Sequence, residues 1–178
     1  MTMTNSIVAT VLLVGCSDTE KQQASVDTGF IQPLRCPEDV PHNIAAGGAV
    51  YVADTIELTA TFHGGNAAHS SILSMSHPDE IHIGQLHTTA EGESVSLGTF
   101  GKGQELIFSL EVPQADKMWY SGDPARNSDG LAHARIVQAQ TGVWYGGFED
   151  LPNIGDSDFN DVCFSLNGAL STTELEPQ

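Results

Sequence analysis

The sequence predicts an all-β fold, an antiparallel β-sandwich of jelly-roll-like form entered by an irregular N-terminal segment, with a closed barrel as the alternative. Three observations carry that expectation. Apolar and polar residues alternate with a period of two along several short runs. Clusters of Gly, Pro, Asn, Asp and Ser separate those runs roughly every 8 to 15 residues. No window of about eleven residues or more carries a sustained helical stripe.

The elements follow in order. FIQPLRCPEDVPHNIAAGG has three prolines and a Gly pair and reads as irregular entry into the domain. In VYVADTIELTATF, Val50, Val52, Ile56, Leu58, Ala60 and Phe62 share one parity and Tyr51, Thr55, Glu57, Thr59 and Thr61 the other, as a half-buried strand requires. Asp54 interrupts the apolar face and marks a bulge or a break between two shorter strands. SILSM, IHIGQL, SVSLGTF, ELIFSLEV, HARIVQ, GVWYGGF and DVCFSL supply the remaining strands, and ELIFSLEV sets Leu106, Phe108, Leu110 and Val112 on one face. AQTG between HARIVQ and GVWYGGF reads as a hairpin turn. There is no internal repeat and no low-complexity tract.

With 178 residues, 40% of them hydrophobic, the chain suits one sizeable domain, placed at 30–170 with a C-terminal tail over 171–178. The formal charge of -17 would repel a phosphate backbone, so nucleic acid is not expected as a partner. Charged residues make up only 16%, which assigns the acid to a folded surface rather than a disordered tail.

The N-terminus carries an uncharged, mostly apolar run, SIVATVLLVG, too short to span about 30 Å of hydrocarbon and suited to the core of a secretion signal over residues 1–15. LVGC, residues 13–16, resembles the lipobox of bacterial lipoproteins, in which Cys16 becomes the acylated N-terminus. A polar tether, 16–29, follows. MTMTN lacks the basic residues usual before such a run. Lipidation of Cys16 leaves Cys36 and Cys163 as a candidate disulfide in an oxidising compartment, the alternative being two thiols with one buried. The expected location is the bacterial cell envelope through this lipid anchor, or outside the cell.

The chemistry concentrates in FEDLPNIGDSDFND, residues 148–161, which holds Glu149, Asp150, Asp156, Asp158 and Asp161 with no Lys or Arg. Two carboxylates 4 Å apart near a protein surface repel by about 4 kcal/mol at an effective dielectric of 20, so five in one loop favour a counter-ion. Asp156, Asp158 and Asn160 alternate, with Asp161 next, and calcium takes six to eight oxygens from such loops. DSDFN matches the opening of an EF-hand loop, but Asp161 replaces its Gly, Asn167 replaces its bidentate Glu, and a strand pattern follows in place of a helix. A second oxygen-rich loop, SGDPARNSDGLAH, presents Asp123, Asn127 and Asp129. One hairpin separates the two loops, which places both at the same edge of the sandwich. A solvated acidic turn is the plainer alternative.

GFEDLPNIGDSDFNDVCF, preceded by NSDGLAH at suitable spacing, resembles the bacterial domain of unknown function 4114 family, recurrent in exported, adhesin-like and surface proteins, over roughly residues 50–168. The resemblance implies a β-sandwich with a calcium site. It implies Glu149, Asp150, Asp156, Asp158, Asn160 and Asp161 as ligands, with Asn127, Asp129 and His133 as companions. It brings no established activity.

Other signals are weaker. Seven His lack any zinc-ligand spacing and read as surface or packing residues. Trp119, Tyr120, Trp144 and Tyr145 are sugar-stacking candidates if exposed and core residues otherwise. No nucleophile elbow, P-loop or nucleotide fingerprint occurs. The sequence therefore predicts a Ca2+-binding envelope lipoprotein module with a binding or adhesion role, its partner a surface ligand or a glycan. An envelope hydrolase using the loop carboxylates, or a purely structural domain, is the alternative.

Overall fold

The computed structural model describes residues 46–175. The signal and tether, Cys16, the Cys36 half of the expected disulfide and most of the irregular entry segment lie outside the described residues.

The fold is an all-β sandwich of two antiparallel sheets. The first contains β1 (Val50–Val52), β3 (Ile72–His77), β4 (Ile81–Gln85), β6 (Glu105–Val112), β7 (Lys117–Tyr120) and β11 (Leu170–Ser171), ordered β11-β1-β6-β3-β4, with β7 also on β6. The second contains β2 (Ile56–Gly64), β5 (Ser94–Phe100), β8 (Ala134–Gln140), β9 (Val143–Phe148) and β10 (Val162–Asn167), ordered β5-β2-β10-β9-β8. The break expected at Asp54 is a change of sheet: β1 and β2 belong to different layers, and Asp54 Oδ1 accepts the Thr55 N–H at 2.8 Å in the turn between them.

The period of two sets the core. Leu58, Ala60 and Phe62 of β2 and Phe164 and Leu166 of β10 point inward against Leu73, Met75, Leu106, Phe108 and Leu110, all fully buried. Phe108 meets Phe164 between the layers with ring centroids 4.9 Å apart. Full burial of side chains of this size contributes about 1.5–3 kcal/mol each, which fixes strand register, because a one-residue slip would turn the whole set outward.

Strands β8, β9 and β10 form a meander in which Phe148 pairs with both Ala134 and Val162. The loops at 121–133 and 149–161 therefore leave from the same edge, as expected. A third loop, 65–71, joins them there, because Asn66 N–H donates to the Asn160 carbonyl at 3.0 Å. Gly147 permits the close approach of the long loop: a Cβ there would fall 2.0 Å from the Phe159 carbonyl oxygen.

Two short strands were not anticipated. KMWY forms β7 on β6, and Leu170–Ser171 forms β11 on β1. Both are too short to show a period in sequence.

Candidate metal centre

Glu149 follows directly on β9 and is fully buried, the environment in which a carboxylate is most costly. Its Oε1 accepts the Phe159 N–H. Its Oε2 is buried and has no hydrogen-bond partner among the described residues. Burial raises its pKa to about 7 against the opposing hydrogen bond from Phe159, and the charges of Asp161, Asp158 and Asp156 push it the same way. An orphaned, deeply buried carboxylate oxygen is a costly feature unless something positive meets it.

What faces it is more acid. One oxygen from each of Glu149, Asp156 and Asp158 lies within 4.8 Å of the others, Glu149 buried, Asp158 half-buried and Asp156 exposed. Oxygens at about 2.3–2.6 Å from one ion can span that distance. This acidic triad can hold a metal ion. Asp158 is braced by Asn160, whose backbone N–H reaches Oδ1 at 3.1 Å and whose side-chain amide reaches Oδ2 at 2.5 Å.

The loop carrying the triad is bent hard. Asn153, Ile154, Ser157 and Phe159 all have positive φ, between 55° and 65°, as does Gly155 at 42°. Left-handed backbone costs roughly 1–2 kcal/mol for an ordinary L-residue, and a β-branched residue such as Ile154 adopts it rarely. The bend turns the backbone back on itself, so that Glu149, Asp156 and Asp158 face one another.

The remaining expected ligands are engaged differently. Asp150 is buried; its carboxylate Oδ2 lies 3.1 Å from His69 Nδ1, and its N–H donates to Asp161 Oδ2 at 2.8 Å. Burial raises the pKa of Asp161, with the neighbouring Asp150 carboxylate acting in the same direction against that N–H. Asp129 does not join the triad. Its Oδ1 accepts from Leu131 N–H at 3.0 Å, and its Oδ2 accepts from Asn153 N–H at 3.1 Å and lies 2.9 Å from His133 Nε2. Burial alone would raise its pKa, but the hydrogen bonds from His133, Asn153 and Leu131 outweigh it and hold the group at about 2.

Asn127 is likewise spent on the fold. Its Oδ1 accepts the Tyr120 N–H at 2.7 Å and its amide donates to the Tyr120 and Leu131 carbonyls at 3.1 and 2.8 Å. It thus acts as a side-chain substitute for a neighbouring strand along β7. Asp123 accepts from Ala125 N–H at 2.9 Å and starts a short 3-10 turn.

His133 ties the two acidic loops together from below. It is fully buried, stacks on Trp119 at 3.7 Å with the rings within 2° of parallel, and sets Nδ1 3.0 Å from the Glu149 carbonyl oxygen. Trp119 Nε1–H donates to the Asp150 carbonyl at 2.9 Å. Arg135 lies over the Phe159 ring, 4.2 Å from its centroid. Sequence reasoning missed His69 and Arg135, since neither stands in a motif. His133 was reached only through the family resemblance.

Residues 100–169 match the model of a family described as a domain of unknown function, DUF4114. The matched segment runs from the end of β5 through β10 and contains all three carboxylates of the triad together with the bracing loop at 121–133.

Proposed function

Starting from a DUF4114 domain at residues 100–169 that carries an acidic triad, we propose that this chain is a calcium-binding module of the bacterial cell envelope, held by lipid on Cys16 and serving in binding or adhesion. The observation that carries the calcium reading is the buried carboxylate of Glu149, whose Oε2 has no partner among the described residues and one of whose oxygens lies within 4.8 Å of oxygens of Asp156 and Asp158. A divalent cation there would give that oxygen its partner, cancel the repulsion among the carboxylates and offset the cost of the left-handed loop. Calcium suits the donor set better than softer metals, because the three groups offer only carboxylate oxygen and an irregular loop tolerates its variable geometry. Glu149, Asp156 and Asp158 would hold the ion, with Asn160 fixing Asp158. Asp150 and Asp161 would stiffen the outer side through His69 and the loop backbone.

A bound ion acts first on stability. A ligand at a hundred times its dissociation constant stabilises the folded state by about 2.7 kcal/mol. Thermal melts in chelator and in calcium test the proposal: calcium raises Tm for the natural protein and leaves it unchanged for Asp156→Ala with Asp158→Ala. Identical melts of the natural protein under both conditions would overturn it.

A further inference from the structure

On the outer face of the first sheet, β3, β6 and β7 flank an open groove of about 550 Å³ that ends at Arg126 of the 121–133 loop and is lined by none of the triad carboxylates. Small-molecule sites fall between about 300 and 1,000 Å³, so the groove is large enough for one. Its floor is the outward row of β6, Ile107 and Ser109. One wall is Met118 and Tyr120 of β7, and the other is Ser76 and His77 of β3 with Glu80 beyond them.

The chemistry of the lining selects among ligands. An anion finds no available cation, because Arg126 at the end of the groove is clamped by both Glu105 oxygens at 2.9 and 3.0 Å and by the Ser121 carbonyl at 3.1 Å. A lipid chain finds too little apolar wall, since Ile107 and Met118 stand among hydroxyls, an imidazole and a carboxylate. A cation finds one carboxylate, Glu80, in company with an imidazole and a guanidinium. What remains matches a neutral polyhydroxylated ring: the Tyr120 ring for its C–H face, and hydroxyls and carboxylate for its O–H groups. The Tyr120 hydroxyl, Ser109 Oγ and the Glu80 carboxylate make no hydrogen bond or ion pair among the described residues.

The wall is also rigid. Asn127 fastens both the N–H and the carbonyl of Tyr120, and Ser121 Oγ accepts the Phe108 N–H at 2.9 Å just behind it. A site that is ordered before its ligand arrives loses less entropy on binding. We propose that this groove, from Ser76, His77 and Glu80 across Ser109 to Tyr120, binds a neutral saccharide. The assignment goes beyond the calcium reading and does not depend on it, since none of the three triad carboxylates lines the groove.

The test uses the full chain with calcium present throughout. A glycan array finds a retained neutral glycan, and that glycan is then titrated while the methyl resonances of Ile107, Met118, Leu151 and Ile154 are followed by NMR. The expected result is a shift at Ile107 and Met118, with binding weakened about tenfold or more in both Glu80→Ala and Tyr120→Ala. Glu80 is exposed, so Glu80→Ala is expected to keep the fold, and the test stands even where Tyr120→Ala fails to fold. Retention of no neutral glycan, or undiminished binding by Glu80→Ala, overturns the proposal. Shifts confined to Leu151 and Ile154 would place the sugar at the acidic loop, which overturns the groove and leaves the calcium reading standing.

Discussion

A Cβ added at Gly155 would lie 2.8 Å from Glu149 Oε2, the buried oxygen that has no partner among the described residues. Gly155 also sits at φ 42°, so it supplies both the turn and the space in front of the carboxylate. Gly155→Ala is expected to destabilise the loop by about 1–3 kcal/mol and to weaken calcium binding about tenfold or more. Calorimetric titration of the variant checks this; unchanged affinity would mean that the ion does not use this oxygen.

Stability of the metal-free protein should fall as pH rises through neutrality. Glu149 has a folded pKa of about 7 against an ordinary 4.5, so the folded state holds the proton more tightly. Its contribution is complete below about pH 4.5 and is lost as pH climbs to about 7, and the raised pKa of Asp161 adds in the same direction. Asp129, held at about 2 against 3.8, acts oppositely: its contribution is present above 3.8 and is lost as pH falls toward 2. Because calcium requires ionised carboxylates, the Tm gained on adding it should be larger at pH 7.5 than at pH 5. Melts at the two pH values, with and without chelator, read the difference directly.

Asn127 separates scaffold from ligand. Asn127→Ala removes three hydrogen bonds from a buried side chain and leaves backbone groups of β7 unpaired, at about 2–4 kcal/mol. Tm should drop while the calcium dissociation constant changes less than about threefold. A large loss of calcium affinity at temperatures where the variant remains folded would return Asn127 to the ligand set.

Trp119 connects the ion site to an optical signal. Its indole N–H holds the Asp150 carbonyl and its ring lies on His133, which touches the Glu149 carbonyl. Calcium binding should therefore change tryptophan emission, and the change should vanish in Trp119→Phe and persist in Trp144→Phe. A response carried by Trp144 instead would contradict this coupling.

Much of the fold was legible because β-sandwich strands with one buried face alternate so plainly. ELIFSLEV coincides with β6, SVSLGTF with β5, and the interruption at Asp54 with the change of sheet. The shared edge of the two acidic loops followed from one hairpin turn. Which oxygens converge was less legible. Asn127 and Asp129 have the vocabulary of ligands, yet backbone groups of Tyr120, Leu131 and Asn153 take their hydrogen bonds, and that depends on how an edge strand and two loops meet in space. His69 was invisible for the same reason, since it reaches Asp150 from a loop 81 positions away. Of the four aromatics marked for sugars, Trp119, Trp144 and Tyr145 are buried and Tyr120 lines the groove; parity on β7, a strand too short to read, turns Trp119 inward and Tyr120 outward, whereas β9 buries both Trp144 and Tyr145.

Isothermal titration of calcium into the protein at pH 7.5, beside Glu149→Gln, tests the central claim most directly. Glu149→Gln keeps the shape and removes the charge of the one buried member of the triad. Saturable binding by the natural protein, weakened about a hundredfold or more in the variant, is the predicted result. Absence of binding heat at several temperatures, or equal affinity in Glu149→Gln, would contradict it.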